Sequence, residues 1–459
     1  MRPLRILFTN NTLALRAGSE LYVRDLALAL LARGHRPVAY SPVLGAVAQE
    51  LRDRTVPVID DLDALESPPD VIHAHHHLEA MTALLRFPGA PAIYVCHGWL
   101  PWEEVPPRFP RIIRYVAPDE TCRDRLVCES AIPAERVRLI PNFVDLARFR
   151  PRAPLPARPR RALVFSNYVN ERHGLPAMRT ACERAGLALD VIGAGVGRSC
   201  PDPEAVLGDY DVVFAVARSA LEALAVGVAV VVAAPHGVAG MVTSENVEAL
   251  RRINFGRRAL REPLSADVLG RELARYDALD AAEVSRWVCA NAGLDAAVDA
   301  WIALYADVCA EAVSPDPIAE GRAAAAYLRW LAPTVKSAYE ARVRADEAAA
   351  DAARARAESD GLARERATLA HELAAAAGVR DVLRGEHATL ASAHEQLRRE
   401  LHATAAALER RSAEVDRLAS ELGTVTGSTL FNLRERALRV PVLGALLRLR
   451  ARLASALPD

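Results

Sequence analysis

DVVFAVARSALEALAVGVAVVVAAPHGVAG, residues 211–240, reads as a strand, a sharp turn, a helix, a second strand and a glycine-containing turn. Glu222 lies one turn into a helix otherwise built mostly of Ala, Leu and Val. A carboxylate on an apolar helix between two buried strands needs a partner. In a parallel α/β sheet such a position faces the crevice at the carboxyl ends of the strands, where ligands bind. The helix start at Arg218, Ser219 and Ala220 offers free N–H groups and a positive dipole end to a phosphate. The stretch therefore predicts an α/β domain with a nucleotide-diphosphate site.

Upstream, residues 1–150 alternate short apolar runs with amphipathic stretches. LRILFT, RPVAYS, DVIHAH, PAIYVC, IIRYVA and VRLI read as strands, and Ser19–Arg33 and Glu120–Ser130 as helices. This alternation predicts a mostly parallel sheet covered on both faces. The Pro-rich, basic segment 151–161 reads as an interdomain linker. A second alternating block, 162–313, contains RALVFSN, a helix about Leu175–Ala185, LALDVIGAG, the opening stretch and a helix near Ala281–Ala312. Two Rossmann-like α/β domains place a ligand cleft between them.

From about Ser314 the composition shifts to Ala, Arg and Glu. A seven-residue repeat holds register between Leu362 and Leu422, with Leu362, Leu369, Leu383, Leu390, Leu397 and Leu418 on one seam. Leu373, Leu401, Leu408, Val415 and Leu422 share the other with Arg366, Arg380, His387 and His394. Residues 314–425 are thus expected to be helical and coiled-coil, and 362–422 to mediate homo-oligomerisation. Residues 426–459 carry six arginines against Glu435 and Asp459, with Pro441 dividing two short amphipathic helices. Basic amphipathic helices lie on anionic membranes, so 426–457 is a candidate peripheral membrane contact.

Composition narrows the class. A net charge of −1 over 459 residues gives no reason to expect nucleic acid. Lys336 is the only lysine, so phosphate contacts in the globular part fall to Arg, His or backbone. The seven cysteines are scattered and never spaced as CxxC, which points to a reducing compartment. MRPLRILFTN runs directly into a strand, so no signal peptide is expected. The apolar run 223–234 is short of the roughly 20 residues that span a bilayer. The expected location is cytoplasmic, on the inner face of the membrane if the tail docks there.

AGSELYVRDLALALLARGHRPVAY (17–40), DVIHAHHH (70–77), VCHGW (95–99) and PNFVDLARFRP (141–151) resemble the glycine-rich loop, DVVHAH, THG and PNGVDxxRF signatures of GT-B glycosyltransferases of the family-4 kind. DVIGAG (190–195) and LEALAVGVAVVVA (221–233) resemble that family's donor domain. The resemblance covers about residues 1–312. It implies retaining, metal-independent transfer of a sugar from a nucleotide-diphosphate sugar to a glycan or lipid-linked acceptor. No cofactor beyond that co-substrate is implied.

The resemblance assigns roles residue by residue. His97 matches the histidine beside the reacting sugar. Gly18 lets backbone approach the donor diphosphate, Glu222 accepts from the ribose hydroxyls, and Ser219 and Ala220 give N–H groups to the diphosphate with Arg218 beside them. Gly193, His236 and Gly237 complete the expected donor site. Glu20 is expected on the face of the following helix. Three departures stand out. Phe214 falls where the family has a sugar-contacting glutamate, Phe143 replaces the glycine of PNGVD, and the phosphate-binding lysine is absent, its place falling to Arg172 or His173. His73, His75, His76 and His77 invite a metal reading, but as a strand end without an evident acidic or Cys partner they are expected to be structural. Asp209-Tyr210-Asp211 and Asp61-Leu62-Asp63 spell DxD and are also expected to be structural, so no metal is required. The non-enzymatic alternative is a degenerate GT-B module that binds or scaffolds, oligomerised by its coiled coil. An epimerase and an assembly factor are further alternatives.

Overall fold

The computed structural model describes residues 2–311, 314–376 and 383–427. The chain divides into two units, of which the first, Met1–Ala323, holds both sheets.

The first sheet is built from β1 (Arg5–Thr9), β2 (Arg36–Tyr40), β3 (Val58–Ile59), β4 (Val71–His75), β5 (Ala92–Val95), β6 (Ile112–Ala117) and β7 (Val137–Leu139). All pairings are parallel, in the order β3-β2-β1-β4-β5-β6-β7. Helices α1 (Gly18–Ala32), α2 (Ala46–Asp53), α3 (His77–Arg86) and the short α4 (Glu120–Asp124) connect the strands. The chain order reverses beside β1 and β4, so their carboxyl ends flank the crevice of an open α/β sheet.

The second sheet comprises β8 (Arg161–Phe165), β9 (Ala188–Ile192), β10 (Val212–Ala215), β11 (Ala229–Ala234) and β12 (Gly237–Met241), in the order β12-β11-β10-β8-β9. Its helices are α5 (Leu175–Arg184), α6 (Pro203–Val206), α7 (Ala217–Val226), α8 (Val247–Arg252), α9 (Ala266–Leu273) and α10 (Ala278–Asn291). Gly227, at φ +91°, ends α7 in the left-handed conformation that glycine adopts without steric cost. The two Rossmann-like domains make a GT-B fold, in agreement with the sequence reading.

Two expectations need correction. The turn at His236-Gly237 leads into β12, an antiparallel edge strand that a Gly-Val-Ala-Gly-Met sequence barely announces. The expected helix near 281–312 is two helices broken at Gly293. The second, α11 (Leu294–Ala310), leaves the second domain and packs Val298, Trp301, Leu304, Tyr305 and Val308 into the core around Ile6 and Phe8. Segment 151–161, read as an interdomain linker, is held by hydrogen bonds to the second domain. The Arg152 N–H donates to Val226 O at 2.8 Å, and the Arg160 N–H to Asp211 Oδ2 at 2.8 Å.

Helix α12 (Pro317–Ala376) starts against the first domain. There Arg111 donates to Glu320 through Nε at 2.7 Å and Nη2 at 3.0 Å. In the second unit, Ala324–Ser428, α12 is joined by α13 (Leu383–Gly427). Leu362 and Leu369 of α12 line one groove with Leu397, Leu401 and Thr404 of α13. The repeat is therefore met partly within the chain, as an antiparallel hairpin. The seam stays open all the same, with Leu362 60% and Leu397 51% exposed. The basic amphipathic segment 426–457 lies, but for its first two residues, outside the described residues. No described helix is long and apolar enough to cross a membrane.

Candidate active site

The carboxyl ends of both sheets face one cavity. Arg16, Ala17, Gly18 and Leu21 line it from the loop and first turn of α1, and Arg148 and Phe149 from the connection between domains. Ser166, Asn167, Ile192, Gly193, Arg218, Ser219 and Glu222 line it from the second domain. Five residues expected from the sequence thus meet here: Gly18, Gly193, Arg218, Ser219 and Glu222.

The sharp turn into α7 has a backbone signature. Ala217 adopts φ +52°, and its N–H donates to Phe255 O at 3.1 Å. A non-glycine residue held in this region stores strain of order 1–3 kcal/mol, as active-site turns often do. The turn places the first N–H groups of the helix, which have no intrahelical partner, at the cavity. Arg218 and Ser219 supply them. Ala220 does not, because it is fully buried and its N–H closes onto Val216 O at 3.4 Å.

Glu222 is buried, and its Oε1 accepts from Arg218 Nε at 2.7 Å. The same guanidinium bonds Asp25 of α1 across the domain boundary. Burial raises the Glu222 pKa above the ordinary carboxylate range, and Arg218 only partly offsets this. Burial also works against Asp25, but Arg218 and Arg24 outweigh it and hold Asp25 below its ordinary value. Asp25 is hydrogen-bonded by two guanidiniums, whereas Glu222 is bonded by Arg218 alone and is raised further by the charge of Asp25, so these neighbouring carboxylates shift in opposite directions. Arg16, Arg24 and Arg148 extend the network to Glu50 and Glu204. The sequence reading missed these arginines because each lies on an element whose pattern reports only helix or loop.

The two glycines differ. A Cβ on Gly193, at φ +150°, would stand 1.9 Å from Ser166 O, so the fold itself requires glycine there. A Cβ on Gly18 would meet nothing within 4 Å, so the protein places no demand on that position.

His97 follows β5 at the carboxyl edge of the first sheet. Its backbone N–H donates to Glu104 Oε2 at 2.8 Å, and its Nε2 lies 2.7 Å from His75 Nδ1. The edge of Tyr22 packs on its ring with centroids 4.7 Å apart. Burial lowers the His97 pKa to about 4 and drives His75 and His73 well below the ordinary histidine value, so all three are neutral at pH 7. Around His76 stand the buried carboxylates Glu79, Glu103 and Glu104, and burial pushes Glu103 up to about 8. Among the described residues, no group of three or more His, Cys, Asp and Glu is arranged to hold a metal.

His97 is not among the residues that line the cavity, and four further expected positions lie away from it. Arg172 and His173 sit in an exposed loop, where Asn170 Oδ1 accepts from both backbone N–H groups at 3.0 Å. His236 is exposed at the β11–β12 turn. Gly237 is explained by packing, since a Cβ there would stand 2.7 Å from Glu262 O. Phe214 does not occupy a ligand-facing place either. It points from β10 into the core with Val164 and Met178, and the loop that would carry a sugar-contacting glutamate is absent. Phe143 is likewise buried, against Tyr22. Three carboxylates of the DxD pairs have protein partners. Asp211 Oδ2 accepts from two strand N–H groups, while Asp61 accepts from the Asp63 N–H and Asp63 pairs with Arg86.

Residues 16–148 match the model of Glycosyltransferase Family 4. No curated protein sequence matches the chain. Among solved structures, a glycosyltransferase from Rickettsia africae is similar at 15% identity over 67% of this chain and 99% of its own, with a TM-score of 0.48. HepE from Anabaena, in complex with UDP and glucose, is similar at 15% identity over 66% of this chain and 100% of its own, with a TM-score of 0.46. A protein described as a UDP-N-acetylglucosamine 2-epimerase from Listeria monocytogenes is similar at 14% identity over 69% of this chain and 99% of its own, with a TM-score of 0.43. The first domain thus matches that family over residues 16–148, and with the second Rossmann-like domain and the cavity between them it completes a GT-B fold.

Proposed function

We propose that the chain transfers a sugar from a nucleotide-diphosphate sugar to a glycan or lipid-linked acceptor, with retention and without a metal, in cell-surface polysaccharide biosynthesis. One observation carries this reading. The N-termini of α1 and α7, from different domains, open onto one cavity beside a buried carboxylate. Helix N-termini suit a diphosphate, and a carboxylate suits vicinal ribose hydroxyls.

In this reading Glu222 accepts from the ribose hydroxyls, Gly18 and Ser219 give backbone N–H groups to the diphosphate, and Arg218 turns toward it. The bond from the anomeric carbon to the departing phosphate oxygen breaks as the acceptor oxygen bonds to the same face, and the acceptor proton passes to that phosphate. Helix-end N–H groups and guanidinium stabilise the developing charge, the work a metal does elsewhere. His97 hydrogen-bonds the donor sugar. The protein acts in the cytoplasm, with 362–422 joining copies and 426–457 available to the inner membrane face.

A second reading, a degenerate module that binds without transferring, is favoured by the charge balance. Four arginines, Arg16, Arg24, Arg148 and Arg218, are already matched by Asp25, Glu50, Glu204 and Glu222. The test is incubation of the protein with UDP-, GDP-, ADP- and TDP-sugars, scoring free nucleotide diphosphate. Slow release from one donor, lost in Glu222→Ala, supports transfer. Tight binding of a donor with no release under any condition supports the degenerate module.

A further inference from the structure

The contact between His75 and His97 fixes more than position. Both rings are neutral, so within the 2.7 Å contact one nitrogen donates and the other accepts. Two arrangements satisfy it. Either His75 Nδ1–H donates to His97 Nε2, or His97 Nε2–H donates to His75 Nδ1. The two leave opposite groups on the far nitrogens, because a neutral imidazole carries one proton.

The far nitrogen of His75 decides between them. His75 is fully buried as the last residue of β4, and its Nε2 has no hydrogen-bond partner. In the second arrangement that atom would be an N–H sealed from water and from any acceptor. Orphaned buried N–H groups are rarer than under-satisfied acceptors. In the first arrangement it is only a bare lone pair. His73, stacked on His75 with centroids 4.8 Å apart, packs against the ring, and the Thr9 hydroxyl, which accepts from the His75 backbone N–H at 3.0 Å, holds its backbone.

From this geometry we infer that His75 is a positioning residue, which holds His97 as the Nδ1–H tautomer and leaves Nδ1–H as the ring's hydrogen-bond donor. His97 Nε2 is then occupied and its Nδ1 carries the proton. The ring has no lone pair left with which to remove a proton from an acceptor. His97 serves to hold a sugar hydroxyl or ring oxygen, not as a general base. The part about sugar rests on the transferase reading, but the tautomer assignment does not.

Nitrogen NMR of the full-length protein labelled with 15N-histidine distinguishes protonated from unprotonated ring nitrogens. The expected spectrum shows His97 with a protonated Nδ1 and a bare Nε2, unchanged from pH 6 to 8. His75→Asn places an amide N–H where His75 Nδ1 stood and keeps that pattern. His75→Leu removes the donor and lets the proton move to His97 Nε2. In the donor-release assay His75→Leu loses at least tenfold in kcat with little change in KM, and His75→Asn recovers most of it. A wild-type His97 protonated at Nε2 overturns the inference, and so does a His75→Leu protein whose His97 keeps its Nδ1 proton. If the spectra match expectation while no nucleotide sugar binds, the transferase reading falls and the tautomer assignment stands.

Discussion

Arg218 donates from Nε to Glu222 Oε1 at 2.7 Å, and the same guanidinium also bonds Asp25 on the opposite domain. One side chain thus neutralises two buried carboxylates and ties the domains at the cavity. Arg218→Ala strands Glu222 and takes from Asp25 one of its two hydrogen-bonded guanidiniums, leaving Arg24. Removing one partner of a buried pair costs about 3–5 kcal/mol, so this variant should unfold at markedly lower urea. Glu222→Ala should be milder, because it leaves Arg218 paired with Asp25. Equal loss in both variants would mean that the network is not organised around Arg218.

Gly18 and Gly193 separate a ligand constraint from a folding constraint. Gly193→Ala drives a Cβ into Ser166 O and should lower the melting temperature. Gly18→Ala meets no protein atom and should melt like the parent, yet weaken binding of a nucleotide diphosphate about tenfold or more, because the added methyl stands between backbone and phosphate. A Gly18→Ala protein that binds as tightly as the parent removes this loop from the site.

Glu103 gives a pH prediction of definite sign. Its folded pKa is raised to about 8 by burial, so the native state holds a proton that the unfolded chain releases near its ordinary value. Its contribution is present at low pH and is lost as pH rises through about 8, with a limiting slope of about 1.4 kcal/mol per pH unit. Glu103→Gln mimics the protonated acid without titrating. The melting temperature of the variant minus that of the parent should therefore climb from about pH 5 to about pH 8 and level off above it. A flat difference would mean that Glu103 is already ionised.

The hairpin of α12 and α13 leaves its leucine seam half open, which in water favours a second copy over a solvated pair. Leu369→Asp and Leu397→Asp should each convert a sedimenting oligomer to monomer while leaving the globular unit folded. A parent that is monomeric at micromolar concentration contradicts oligomerisation through this segment.

The parallel strands were legible because each is buried on both faces and reads as a continuous apolar run between turns. Glu222 was legible as an oddity on an apolar helix, but the bond from its partner Arg218 to Asp25 was not. Asp25 lies on another domain, and no periodicity reports a contact 193 residues away. The role of α11 was hidden for a similar reason. Its apolar stripe announces a helix but not which sheet it covers. Gly237 and Arg172 were placed by motif alone, and packing of the β11–β12 turn and the exposure of the 170–174 loop set them elsewhere. The shortened turn at Ala217 left Phe214 aligned with a glutamate whose loop does not exist here.

The central claim is that the cavity between the domains takes a nucleotide diphosphate with Glu222 on the ribose. Calorimetric titration of UDP, GDP, ADP and TDP into the parent and into Glu222→Ala tests it most directly. The account predicts that at least one nucleotide binds the parent, and that the variant binds it tenfold or more weakly. That loss corresponds to about 1.5 kcal/mol or more, as expected for hydrogen bonds to a charged acceptor. No heat from any of the four nucleotides, or a Glu222→Ala protein that binds as tightly as the parent, would contradict it.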